Sequence, residues 1–137
     1  DKKCQEFLES VVAFANANGG KIFVGVDDRA VVVGFEAELM RLGKREHVTD
    51  SNEVRDLYLH FLGKFIAEGV VPSITPAFVW HAPAGLPVLE VQIPRGTEPP
   101  YHLYENNRFV LRRGATDRAM SRSDLELAFR KMRGADH

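Results

Sequence analysis

The stretch Ala13-Phe14-Ala15-Asn16-Ala17-Asn18-Gly19-Gly20-Lys21-Ile22-Phe23-Val24-Gly25-Val26-Asp27-Asp28 decides how this chain folds. It reads as the end of a helix, a Gly-Gly stop, a buried strand, and a strand end that presents two neighbouring carboxylates. Phe7, Leu8, Val11, Val12 and Ala15 recur at helical spacing, whereas Ile22, Val24 and Val26 alternate as a half-buried strand does. The period switches at Gly19-Gly20, where glycine suits the left-handed conformation that ends a helix and lets the chain turn sharply onto a sheet.

Working outward, Asp27-Asp28-Arg29-Ala30 is expected to turn and Val31-Val32-Val33 to return as the second strand of a hairpin. Glu36 to Gly43 is expected to form a short helix, followed by a polar loop from Lys44 to Thr49. The next helix is better marked. Asp50 and Glu53 have capping-box spacing, and Val54, Leu57, Tyr58, Phe61, Leu62, Phe65 and Ile66 form one apolar stripe that Gly69 closes. Pro72 and Pro76 stiffen a connection. Strands at Ala77 to His81 and Pro87 to Ile93 then form a hairpin around Pro83-Ala84-Gly85, with Leu89, Val91 and Ile93 alternating against Glu90 and Gln92.

Residues 94 to 100 hold three prolines and a glycine and are expected to run as an extended surface loop. A third hairpin is read from Tyr101–Tyr104 and Arg108–Arg112, and a final helix begins at Ser121 or Ser123. Strands joined by short turns disfavour a doubly wound parallel fold. The expected class is α+β: a mixed, largely antiparallel sheet built from hairpins, with helices packed on it.

The 137 residues fit one domain, long enough to bury a core without disulfides or a structural metal. The single cysteine, Cys4, cannot form an internal bridge, so a reducing, cytoplasmic setting is expected. No apolar run reaches the length of a membrane span, which argues against a membrane partner. The chain starts at Asp1 with its amphipathic pattern already under way, as a fragment of a longer protein would. Net charge is −1, but residues 108–133 carry eight basic side chains against three acids, a local balance of +5 that leaves the remainder at −6. Local potential rather than net charge attracts a polyanion, so this asymmetry suits a phosphate-binding face as well as a solvated one.

Several residues carry candidate chemistry. Arg112 and Arg113 adjoin on a strand that ends at Gly114, and Arg108 lies a few positions before them. A guanidinium grips phosphate through a planar fork of two hydrogen bonds, and it also clamps backbone carbonyls at glycine turns. Lys21, just after the glycines, is a weaker phosphate contact. Tyr101, His102 and Tyr104 offer rings for stacking on exposed bases, although alternation assigns some of them to a core. Asn16, in the last turn of the first helix, suits a structural role in capping or holding the hairpin better than substrate contact. Gly20-Lys21 lacks the spacing of a nucleotide-binding phosphate loop. Five scattered histidines and one cysteine allow no zinc site, and no Ser-His-acid triad can be drawn from spacing.

Taken together, Ala13-Phe14-Ala15-Asn16, Gly19-Gly20, Gly25-Val26-Asp27-Asp28 and Val33-Gly34-Phe35, followed by Pro94, Pro100-Tyr101 and Leu111-Arg112-Arg113-Gly114-Ala115-Thr116, resemble the Alba-like domain of the Schlafen proteins. That domain also occurs in bacterial regulators formerly grouped as divergent AAA proteins. The resemblance implies RNA or DNA binding, and Arg112 falls in the recurring Arg-x-Gly element; the phosphate contacts expected from the residues themselves are Lys21, Arg108, Arg112 and Arg113. Two alternatives stand beside that reading, the first implied by the same resemblance. One is a divalent-metal endoribonuclease using Mg²⁺ or Mn²⁺, in which Asp28 is the catalytic, metal-holding carboxylate together with acids upstream. The Glu-x-x-x-x-Glu-Phe-Lys pattern that supplies those acids does not precede Ala13 here. The other alternative is an oligomerisation module of a transcriptional regulator, pairing with itself or a paralogue while further domains of the parent protein do the chemistry.

Overall fold

The computed structural model describes residues 2–104 and the backbone of two further strands, 110–113 and 116–119. The described elements run α1 (Lys2–Asn16), β1 (Gly20–Val24), α2 (Glu36–Glu46), α3 (Ser51–Gly69), β2 (Val70–Val71), β3 (Ala77–His81), a 3-10 turn (Pro83–Gly85), β4 (Val88–Ile93), β5 (His102–Leu103), β6 (Val110–Arg113) and β7 (Thr116–Ala119). The strand pairings are antiparallel, and helices pack with them in an α+β architecture. The chain forms two compact units, one built from residues 1–20, 65–76 and 93–137 and the other from 21–64 and 77–92.

In the first unit, α1 buries Val11, Val12, Ala13 and Ala15. Its end is set by Gly19, whose N–H donates to the Phe14 carbonyl at 2.9 Å and whose φ is +82°. A Cβ at that position would stand 2.6 Å from the Ile93 carbonyl oxygen, so only glycine lets the turn press onto the chain beyond β4. Ile66, Val70, Ile74, Ile93, Tyr101 and Leu103 complete the core of this unit, and α1 lies along β6. The proline-rich stretch 94–100 forms no regular secondary structure, bends at 97–98 and is pinned. Gly96 N–H donates to the Ala15 carbonyl at 2.9 Å, Glu98 N–H donates to the Tyr101 hydroxyl at 3.0 Å, and Pro100 is buried.

The third hairpin forms differently from the expectation. β5 pairs with β2, in the register Val70↔Leu103 and Val71↔His102, and β6 pairs with β7. The reason lies at the end of α3, where the helix leaves an open backbone edge. The Gly69 carbonyl takes the Tyr104 N–H at 3.0 Å, which commits β5 to that edge. The helix expected after Ser121 lies outside the described residues.

In the second unit, β4 is the central strand of a three-stranded sheet in the order β1-β4-β3. The β3–β4 hairpin forms as expected, with Phe78↔Val91, Val79↔Glu90 and Trp80↔Leu89 in register. Gly19 approaches Ile93 and Arg95 while Gly25 approaches Pro87, so β1 runs antiparallel to β4. Leu89 and Val91 are fully buried, and Phe35, Tyr58 and Trp80 form an aromatic cluster with ring centroids 5.2–6.2 Å apart. α2 runs three residues further than its apolar pattern requires. Lys44 and Arg45 are good helix formers, and as cations they complement the helix C-terminus. Asp50 caps α3 as expected, its Oδ1 accepting the N–H groups of Asn52 at 2.9 Å and Glu53 at 3.0 Å. The expected return strand at Val31–Val33 reduces to a single bridge, Val26↔Val32, with Val31 and Val33 exposed. With no partner surface for those two side chains, a longer ladder has little apolar area to gain.

Candidate functional site

β1 carries the first candidate. Lys21 stands on the sheet face that also bears Phe23, and its Nζ lies 3.7 Å from Glu90 Oε2 on neighbouring β4. Glu90 is only 7% exposed, the one buried acid of the described core. Its Oε1 accepts from His81 Nε2 at 3.0 Å, and its Oε2 accepts from Gln92 Nε2. An ionised carboxylate only accepts, so the paired His81 carries its proton on Nε2. The Gln92 amide beside Glu90, then the His81 ring, hold its carboxyl below the ordinary range, against the opposing pull of burial; Lys21 adds a smaller push. Lys21 is therefore partly neutralised within the protein. Sequence reasoning missed this cluster. The available signal was the β3–β4 register, which puts Val79 beside Glu90 and so brings His81 and Gln92 to the same face.

At the far end of β1 the two aspartates divide. Asp27 closes the turn, with Oδ1 accepting from Arg29 N–H at 2.9 Å and Val31 N–H at 3.0 Å, and Oδ2 pairing with Arg29 Nη2 at 3.3 Å. The Val31 N–H, above all, and the Arg29 groups hold the Asp27 carboxyl below its ordinary value despite some loss of hydration. Asp28 is exposed. Among the described residues no group of three or more His, Cys, Asp or Glu side chains is placed to hold a metal ion. Hard divalent cations need several oxygen ligands, so Asp28 and its described surroundings do not by themselves fit a Mg²⁺ or Mn²⁺ site.

Asn16 has a structural task. Its Nδ2 donates to the Tyr101 carbonyl at 3.0 Å and its Oδ1 accepts the Tyr101 N–H at 2.6 Å. This two-point clamp ties the end of α1 to the segment that leads into β5. Tyr101 itself is 3% exposed, which removes it from the set of stacking rings. Tyr104 remains exposed, and His102 is half-buried.

The arginine candidates stand on β6, apart from Arg108, which lies outside the described residues. The β6–β7 register pairs Arg112 with Asp117, Leu111 with Arg118 and Arg113 with Thr116. Alternation then puts positions 113 and 118 on one face and position 112 on the other, opposite an acid. Sequence spacing alone does not separate the two neighbouring arginines in this way.

A second feature that sequence reasoning missed is a cleft of about 720 Å³ among α2, the α2–α3 connection, the start of α3 and the 3-10 turn. Leu39, Met40, Val48 and Val54 line it, with Lys44, His47 and Arg55 among its polar residues.

Comparison with solved structures places the fold. The chain is similar to the DIP2311 protein from Corynebacterium diphtheriae, with a TM-score of 0.65 and 19% identity, over 96% of this chain and 20% of that one. It is also similar to the N-terminal domain of a protein from Nitrosomonas europaea related to the ATP-dependent DNA helicase RecG, with a TM-score of 0.51 and 23% identity, over 85% of this chain and 72% of that one. The chain thus spans about a fifth of the length of the Corynebacterium protein. The α1–Gly-Gly–β1 junction, the Asp27 turn and the Asn16 clamp all lie within residues 1–121, the span matched by the family model "Schlafen, AlbA_2", and the chain belongs to that family.

Proposed function

We propose that this chain is a nucleic-acid-binding domain whose phosphate contacts come from Arg113 first, with Arg108, Arg112 and Lys21 in support. The observation that carries the reading is the concentration of eight basic residues against three acids within residues 108–133 of a Schlafen AlbA_2 chain of net charge −1. The similarity to a domain from a protein related to a DNA helicase is consistent with it. Arg113 leads because the β6–β7 register puts positions 113 and 118, both arginines, on one face and sets position 112 opposite position 117, an aspartate, while Lys21 lies 3.7 Å from Glu90. A charge already opposed by a carboxylate contributes less to phosphate binding.

Fluorescence anisotropy with labelled single- and double-stranded RNA and DNA, across a salt series, tests this. Binding is expected to fall steeply as salt rises, because each neutralised phosphate releases counterions. Arg113→Glu is expected to weaken binding across sequences, with the salt slope shallower by about one contact. Arg112→Glu is expected to have the smaller effect. Binding that ignores salt, or equal affinity in Arg112→Glu, Arg113→Glu and the unaltered protein, overturns the reading.

A further inference from the structure

We propose that the cleft beside α2 binds a phosphomonoester carried on a flat apolar body, the chemistry of a nucleoside monophosphate, either free or as the 5′-phosphorylated end of a strand. The cleft lies wholly within the second compact unit. Its volume of about 720 Å³ sits in the range of small-molecule sites, roughly 300–1,000 Å³. The proposal stands on the chemistry of this cleft and not on the phosphate contacts of β6.

Two features choose the ligand class. The first is the floor. Leu39 and Val54 are buried core residues, while Met40 is 65% exposed, and together with Val48 and Pro87 they offer an aliphatic surface suited to the face of a ring. The second is the charge. Lys44 and Arg55 line the cleft against a single acid, Glu36, with His47, Thr49 and Ser51 as further hydrogen-bonding groups. Among the described residues neither Lys44 nor Arg55 has a carboxylate partner.

Arg55 decides the matter. It is half-buried, and its guanidinium carbon stands 5.3 Å from the centroid of the Trp80 ring, which itself stacks on Phe35. The ring contact orients the guanidinium but does not neutralise it. Arg55 is thus a half-buried cation among the lining residues with no counter-charge among the described residues, and a guanidinium's planar fork is suited to phosphate. A lysine and an arginine match the charge of about −1.5 to −2 on a phosphomonoester near neutral pH. The amides at the start of α3 are not the receptor, since Asp50 already accepts from Asn52 and Glu53.

Isothermal titration of the 137-residue protein tests the proposal with AMP, adenosine, inorganic phosphate, and a trinucleotide with either a 5′-phosphate or a 5′-hydroxyl. AMP or the 5′-phosphorylated trinucleotide is expected to bind at least tenfold more tightly than adenosine, inorganic phosphate or the 5′-hydroxyl trinucleotide. Preference for AMP identifies a free nucleotide, and preference for the trinucleotide identifies a strand end. Lys44→Glu, at an exposed position with no internal partner among the described residues, is expected to weaken that binding at least tenfold while leaving the circular dichroism spectrum unchanged. Arg55→Gln is expected to do the same, and Arg113→Glu to leave AMP binding unaltered. Inorganic phosphate binding as tightly as AMP, affinity unchanged in Lys44→Glu, or no binding of either phosphorylated ligand overturns the proposal.

Discussion

Replacing Asn16 by alanine separates a structural from a functional use of the Ala-Phe-Ala-Asn element. The side chain makes two hydrogen bonds to one residue, donating to the Tyr101 carbonyl at 3.0 Å and accepting the Tyr101 N–H at 2.6 Å. Tyr101 is 3% exposed, so water cannot readily replace what is lost. Each hydrogen bond contributes about 1 kcal/mol, and a buried group left unsatisfied costs about 1–3 kcal/mol, so Asn16→Ala is expected to destabilise the protein by ~2–4 kcal/mol. For a chain of this length that corresponds to a fall in Tm of roughly 10 °C. Urea denaturation gives the free energy directly, and Asn16→Asp provides a control. The aspartate retains an acceptor for the Tyr101 N–H but sets its second oxygen against the Tyr101 carbonyl, so it is expected to recover little of the loss. Nucleic-acid affinity, measured below the denaturation midpoint, is expected to stay within twofold of the unaltered protein. A loss below about 0.5 kcal/mol, or a collapse of binding in a protein of undiminished stability, refutes the clamp as the reason for Asn16.

Gly19→Ala is expected to cost at least ~2 kcal/mol by urea denaturation, since about 1–2 kcal/mol comes from the left-handed conformation alone and the new Cβ also meets the Ile93 carbonyl oxygen at 2.6 Å. A loss under about 1 kcal/mol contradicts the geometry of that turn. Acid titration checks the two depressed carboxylates. Asp27 and Glu90 hold their protons less readily in the folded state than in the unfolded one, so the stability they contribute is present at neutral pH and is lost as pH falls through and below the ordinary carboxylate range. Glu90→Gln is expected to flatten the fall of Tm in that acidic window, and an unchanged pH profile rules out Glu90 as a contributor.

The features legible in the sequence are those decided by near neighbours. The switch of period at Gly19-Gly20, the Asp50 cap and the β3–β4 hairpin each depend on residues a few positions apart, and each is present. The pairing of β5 with β2 was illegible because it joins two-residue strands more than thirty positions apart, too short to show any period. The same difficulty hid the partners of the basic residues. Lys21 meets Glu90 across the sheet, and position 112 comes into register with position 117 only once β6 pairs with β7 rather than with β5. The cleft was hidden for a related reason. Lys44 and His47 fall in a run that reads as a polar loop, and only the extension of α2 to Glu46 brings them beside Arg55 and an apolar floor.

The polar residues within the recurring motif are unequal in what they say about function. Asn16 spends its side chain on the backbone of Tyr101, and Asp27 spends its own on the turn it closes. Both are held by geometry that any chain with this α1–β1 junction and turn needs, so their presence specifies the fold and leaves the chemistry open. Asp28 differs, being exposed at the same turn and outside those hydrogen bonds. Information about ligands must therefore come from side chains that the fold does not consume. At the cleft beside α2 two of these are cations: among the described residues Lys44 and Arg55 have no carboxylate partner. Those two cations, with the local balance of +5 in residues 108–133, are the grounds on which phosphate binding is proposed for a chain of net charge −1.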